Sequence, residues 1–306
     1  MRSITLAFCG LICTGMLKAQ SVPVRCTAER RQDNSIIIYA ENLTRVEYSL
    51  QLNFTLSGYA ADASSNSLIR VSPGRSQVAK LTANKMAGAY SYSYNYRSFV
   101  GQPFRKKPAD AVYLLPVSEG KHLQTSPANT IAQRLGQDTT SEFYGIGFQY
   151  RIGDTICAAR AGIVYEMNDE VKTAESHNKL FSAQRNKILI QHRDGTLANY
   201  TILAPIQSLV TAGDEVLPGQ PIAIFNHEAE KLTVLFSVYY LDDKKVQALS
   251  DTWGKIPTVY SSVPAVFHTQ ETQGLIFSFG QYTAVYPKDV VAKELTKREK
   301  KKLGLQ

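Results

Sequence analysis

The 306-residue sequence predicts an all-β chain made of two successive domains. Three observations carry that expectation. From Cys26 to about Gly101 the apolar residues recur with period two, so that Val46, Tyr48, Leu50, Leu52, Phe54 and Leu56 fall on one face with mostly polar residues between them. Beyond Gly101 short β-prone runs are punctuated by glycines at 153, 162, 195, 213 and 219. No segment before the last residues has the sustained 3.6-residue periodicity of a sizeable helix. A domain takes roughly 100 to 200 residues, so a chain of this length has room for one boundary.

Residues 1–19 read as a secretory leader: Arg2, the apolar run Ile4 to Met16, then Lys18 and Ala19 ahead of Gln20. The run is too short to span a bilayer, and neither Cys9 nor Cys13 sits in the context that lipid attachment needs. No other stretch is apolar enough for a membrane helix, so the expectation is an exported chain, periplasmic or extracellular, without a transmembrane segment. After cleavage only Cys26 and Cys157 remain; they either pair in an oxidising compartment or stay as two separate thiols. The formal charge of +8 falls to +6 when Arg2 and Lys18 leave, a mild basic bias toward anionic surfaces. There is no zinc-finger spacing and no RNP motif, so nucleic acid is not an expected partner.

Residues 20–108 read as a small antiparallel sandwich of immunoglobulin-like type. Ser35 to Tyr39 is β-branched and apolar, and Glu41-Asn42 and Ser72-Pro73-Gly74 mark turns. The run YSYSYNY puts Tyr90, Tyr92, Tyr94 and Tyr96 on one strand face, where they form either a stacking platform for sugars or, the reading preferred, part of the sandwich core and rim. GQPFRKKP, Gly101 to Pro108, reads as a linker. Residues 109–290 form the second β domain, with runs at Val112 to Pro116, Ala158 to Met167, Lys187 to His192, Tyr200 to Leu203, Pro221 to Phe225 and Leu232 to Leu241. Within it, KILIQHRDGTLANYTIL is a hairpin around Asp194-Gly195. Residues 291–306 are a basic tail, read as a solvated terminus rather than a short helix that touches anionic polymer.

Several motifs share an order and spacing: GDTICAARAGIV from Gly153, ILIQHRDG ending at Gly195, YTIL from Tyr200, VTAGDEVLPGQPIA from Val210, and Leu232 to Tyr239. Together they resemble the M23 family of LytM-like zinc metallopeptidases, which cut peptidoglycan peptide bridges. The resemblance implies a small barrel-like β domain over roughly Tyr113 to Leu241, with glycines at 153, 162, 213 and 219 where the sheet turns sharply. It also implies a zinc held by an HxxxD motif and the second histidine of an HxH motif, with a YxHL histidine and the first HxH histidine orienting the attacking water. Such a metal lowers the pKa of its water to about 7. Carried onto this chain, those positions fall on Phe143, Gly147, Ile202, Thr233 and Leu235. None is a zinc-ligand type, so no catalytic residue, metal or other cofactor is expected.

His192 matches a histidine that the family shows before the Asp-Gly turn, outside the metal set, and reads as a structural residue of the hairpin. Tyr144, His192 and Tyr200 are the candidates for lining a residual groove. His122, His177, His227 and His268 read as surface residues. No Gly-x-Ser-x-Gly elbow appears. The function expected is therefore a catalytically inactive M23-like protein, a binding or regulatory module of the cell envelope whose partner is peptidoglycan or an envelope protein. Two alternatives stand beside it: an active peptidase with displaced ligands drawn from His177, His192 and His227, in which case zinc returns, and a structural or adhesive surface protein dominated by the first domain. The sequence does not fix the oligomeric state.

Overall fold

The computed structural model describes residues 22–128, 144–171, 185–225, 232–249, 259–276, 279–293 and 295–305. The expected leader, Phe143, His177 and His227 lie outside the described residues. Among the described residues the chain is almost entirely β, with several sheets, none of them closed.

Seven strands come first: β1 (Val24–Arg30), β2 (Ile36–Asn42), β3 (Tyr48–Ser57), β4 (Tyr59–Ala61), β5 (Leu68–Val71), β6 (Gly74–Ala83) and β7 (Ser91–Val100). They form two sheets, ordered β1-β2-β6-β4 and β5-β3-β7. Val24, Ile36, Ile38 and Leu81 of the first sheet meet Leu50, Leu52 and Val71 of the second in one apolar core. Tyr92, Tyr94 and Tyr96 pack half-buried against that core, and the Tyr96 hydroxyl donates to the Val24 carbonyl at 3.4 Å, so these three belong to the sandwich core, while Tyr90 is exposed at its rim. The alternation along β3 fails at its start, where Ser49 and Gln51 are buried as well. Ser49 is buried because the chain returns over it: its hydroxyl donates to the Gly101 carbonyl at 2.6 Å.

The rest of the chain contributes β8 (Pro103–Phe104), β9 (Val112–Leu114), β10 (His122–Pro127), β11 (Gly145–Tyr150), β12 (Thr155–Cys157), β13 (Gly162–Asn168), β14 (Asn186–Gln191) and β15 (Leu197–Ile202). These are followed by β16 (Ile206–Ser208), β17 (Glu215–Val216), β18 (Pro221–Phe225), β19 (Leu232–Asp242), β20 (Tyr260–Val263), β21 (Val266–His268), β22 (Gln273–Gly274) and β23 (Gln281–Thr283). The main sheet runs β17-β13-β14-β15-β19-β11-β10-β23, with β20 and β8 also on β19. Two small sheets, β12-β18-β16 and β22-β21-β9, stand beside it. The barrel-like domain expected from the sequence is, among the described residues, an open sheet whose path ends at β17 and β23.

The core of this half lies on one face of the main sheet, where Phe148, Tyr200, Ile202, Val234, Phe236 and Val238 are buried. Burial of such side chains stabilises by about 1.5 to 3 kcal/mol each. Gly162 is required by close approach, since a Cβ there would meet Ile190 Cγ2 at 2.5 Å and the Gln191 carbonyl at 2.6 Å. Gly219 is required by its backbone, at φ 78°.

Two segments differ from their sequence reading. The linker is built into the sheet: β8 pairs in parallel with Leu241 and Asp242, and the Phe104 ring stands 5.7 Å from Tyr240. The basic tail is folded. After α1 (Asp243–Gln247), the chain ends in α2 (Lys288–Ala292) and α3 (Lys297–Lys302). Val291 and Leu295 are buried with Leu114 and Ala161, which anchors the end of the chain to the body. Thr296 and Glu299 make a reciprocal cap at the start of α3, and Glu299 also pairs with Arg193.

Candidate functional site

Strand register sorts the family-matched positions by face. Gly147 lies opposite Leu235, and Leu235 opposite Thr201. Because side chains alternate along a strand, Gly147, Thr233 and Leu235 share the face turned away from the core. Ile202 does not join them. It pairs with Val234 and is fully buried on the core face, so it cannot help fill a vacated metal site from the other side of the sheet. Phe143 is outside the described residues, so of the large apolar side chains at the family-matched positions, Phe143, Ile202 and Leu235, only Leu235 is placed on this face.

The shared face is uncharged at these positions. The Thr233 hydroxyl donates to Gln149 Oε1 at 3.1 Å, and Gln149 Nε2 donates to the Ser126 hydroxyl at 3.4 Å. Ser126 Oγ lies 2.3 Å from where a Cβ on Gly147 would be, so any side chain at 147 must displace it. These residues do not fit zinc. A catalytic zinc takes about three His, Cys, Asp or Glu donors, whereas the face offers an alcohol already bonded to an amide, an isobutyl group and a glycine. Among the described residues no three His, Cys, Asp or Glu side chains converge on a point.

The three groove candidates do not meet either. Tyr144 is 40% exposed; its backbone N–H donates to the Ser262 hydroxyl at 2.9 Å, beside a cavity of about 310 Å³ lined by Lys107, Tyr240 and Asp242. Tyr200 is fully buried, with its hydroxyl accepting from the Ala159 N–H at 2.8 Å, and burial pushes its phenol up. His192 is buried at the β14–β15 turn. A groove needs side chains that solvent can reach, and two of the three are sealed in the core.

The surroundings of His192 show what holds that turn. Nδ1 donates to the Ala161 carbonyl at 2.7 Å, which leaves Nε2 as the acceptor, buried and without a hydrogen-bond partner. Burial, and then the nearby Arg160 guanidinium, hold the imidazole at a pKa of about 3. Arg160 is itself buried, bonded to Asp194 at 3.0 Å and to the Tyr113 hydroxyl at 3.1 Å. Burial tends to raise the Asp194 carboxyl, but Arg160 and the bonds from Thr196 outweigh it and keep it below the usual range. Arg160, Tyr113 and Thr196 escaped the sequence reading, since nothing in AARAG marks a buried arginine. Cys26 is half-buried and Cys157 buried, and both are free thiols.

No family model matches the chain, and no curated protein does. Solved structures give partial likenesses. One is described as a putative glycyl-glycine endopeptidase LytM from Ruminococcus gnavus, at 12% identity and TM-score 0.25, covering 49% of this chain and 56% of that one. This chain thus spans little more than half the length of that structure. Helicobacter pylori Csd3 in its orthorhombic crystal gives 13% identity and TM-score 0.28, over 78% of this chain and 77% of that one. A zinc-containing peptidase from Vibrio cholerae gives 13% identity and TM-score 0.24, over 71% and 75%. At identities this low a likeness concerns fold alone.

Proposed function

We propose that this is an exported M23 peptidase-like protein without the peptidase chemistry, acting as a binding or regulatory module of the cell envelope on peptidoglycan or an envelope protein. The carrying observation is the common face of Gly147, Thr233 and Leu235: the motif order of the family brings these positions together on adjacent strands, and their side chains supply no zinc donor. Without a metal, water keeps a pKa near 15.7 and has no activated form at neutral pH. The reading with displaced ligands depends on His192, whose Nδ1 is spent on Ala161 and whose Nε2 is sealed from solvent. A sheet face with strand edges remains a surface for an extended partner after the chemistry is gone.

Elemental analysis of the purified chain, paired with a murein-cleavage assay, tests the proposal. The expected result is no stoichiometric zinc and no cleavage. One tightly held zinc per chain, with cleavage that a chelator abolishes, overturns it. Export is tested separately: the envelope-fraction protein should begin at Gln20 or Ser21, and an intact Met1 there counts against a cleaved leader.

A further inference from the structure

We propose that the edge of the main sheet carrying Phe279, Gln281, Gln124 and Gln149 binds a neutral sugar ring of a glycan strand. Phe279 is 82% exposed and has φ 67°, in the left-handed region where the Cβ of an L-residue crowds the following carbonyl. A single exposed aromatic is ordinary. This one is held out by its backbone. Its N–H donates to the Thr125 carbonyl at 2.9 Å, the Thr125 N–H donates to the Gly280 carbonyl at 2.8 Å, and the Gly280 N–H donates to Thr125 Oγ1 at 2.8 Å. Thr125 is buried on β10, so the turn is fixed to the sheet and the ring is presented, although no packing rewards its strained geometry.

Two residues on, Gln281 begins a row that crosses four strands. Gln281 is the register partner of Gln124, Gln124 of Gln149, and Gln149 of Thr233. Gln281 and Gln124 are exposed, while Gln149 is half-buried and tied to Thr233 and Ser126. The next row, Ser126, Gly147, Leu235 and Thr201, carries no charge either. A carboxamide offers a donor and an acceptor side by side, as do adjacent sugar hydroxyls, and the C–H face of a pyranose is apolar enough to lie on an aromatic ring. An uncharged amide row beside an aromatic held out at the sheet edge therefore suits a neutral saccharide; on its other flank His122 is bonded to Thr283, whose hydroxyl donates to the Glu271 carboxylate, so that carboxylate is already engaged.

This assignment names the sugar strand as what the envelope module takes, and so rests on the preceding proposal for the source of the glycan. Titrating the purified chain with the N-acetylglucosamine tetramer by calorimetry tests it. Saturable binding is expected, weakened about tenfold by Phe279→Ala and by Phe279→Leu, and kept by Phe279→Trp. Gln124→Ala with Gln281→Ala should weaken it similarly, while Asn95→Ala on the sandwich should not. Phe279 is exposed, so its variants should melt no lower than the parent. Failure of the parent to bind the tetramer, or equal binding by Phe279→Ala and Phe279→Leu, overturns the site. Sedimentation with isolated peptidoglycan separates the two readings: a chain that binds sacculi or a stem peptide but not the tetramer loses the sugar site and keeps the envelope role. A chain that binds none of them loses both.

Discussion

The His192 ring is in the core with Nε2 facing no donor, so a second proton would put a charge where neither water nor a carboxylate compensates it fully. The unfolded chain takes that proton near pH 6.5, and the native chain only at about 3. The unfolded state is therefore protonated first, and stability is lost as pH falls from 6.5 toward 3, on the order of 1 kcal/mol per pH unit. Urea midpoints should drop between pH 7 and 5, above the range in which the Asp194 carboxyl titrates. His192→Asn, which keeps a donor for the Ala161 carbonyl, should flatten that slope; a flat profile in the parent would refute the argument. At Phe279 the strain itself can be measured. Phe279→Gly removes a left-handed side chain that buries little, and should raise stability by about 1 kcal/mol, or about 2 °C in melting temperature. What the sequence made legible at this scale was the place of His192 before an Asp-Gly turn. What it hid was the conformation of Phe279, since φ depends on Thr125, far away in the chain.

At the scale of elements, the β14–β15 hairpin could be read because its cause is local: Asp194 Oδ1 accepts from the Thr196 N–H at 2.9 Å and its hydroxyl at 2.6 Å, and Gly195 takes φ 87°. The segment Gly101 to Pro108 could not. Glycine, proline and a basic cluster describe a chain free to bend, but whether it bends freely depends on a neighbour, here Leu241 and Asp242 on β19. Proline is tolerated there because β8 lies at an edge, where a missing N–H costs little. Composition misled in the same way about residues 291–306, where Val291 and Leu295 pin a lysine-rich end to the body. The chain should still be cut by trypsin after the exposed Arg105 and Lys106, though not after Lys107, which precedes Pro108; the cut should not release the N-terminal part, because β8 stays paired on its own side of the nick. Gel filtration of nicked protein should give one peak containing both fragments. Two peaks under native conditions would show that the stitch is too weak to matter.

For the whole molecule, the sandwich and the main sheet have separate cores, and their junction decides whether they behave as two domains or one folding unit. Gln191, at the end of β14, accepts from the Glu47 N–H through Oε1 at 2.8 Å and donates from Nε2 to the Glu47 carbonyl at 3.1 Å, so one side chain stands in for a strand partner. Ile163 and Tyr165 pack against the sandwich core, while Leu68 and Phe99 of the sandwich join Leu241, Val246 and Val259. The exposed Arg45–Glu215 pair, at 2.7 Å, adds little by comparison. These contacts join residues more than a hundred positions apart, which is why periodicity and turn signals revealed two β regions and nothing of their union. We propose a boundary between the cores that is structural but not thermodynamic, with both halves unfolding together. Thermal unfolding followed by far-ultraviolet circular dichroism and by calorimetry should give one coincident transition. Gln191→Ala strands the Glu47 N–H, while the Glu47 carbonyl keeps the Gly101 N–H at 2.8 Å, and should cost about 1 kcal/mol because the site is only partly covered. Since that loss falls on the junction and spares both cores, the variant should separate into two transitions where the parent shows one. A parent that already unfolds in two well-spaced steps would mean that the amide clamp and the apolar contacts around it do not couple the halves.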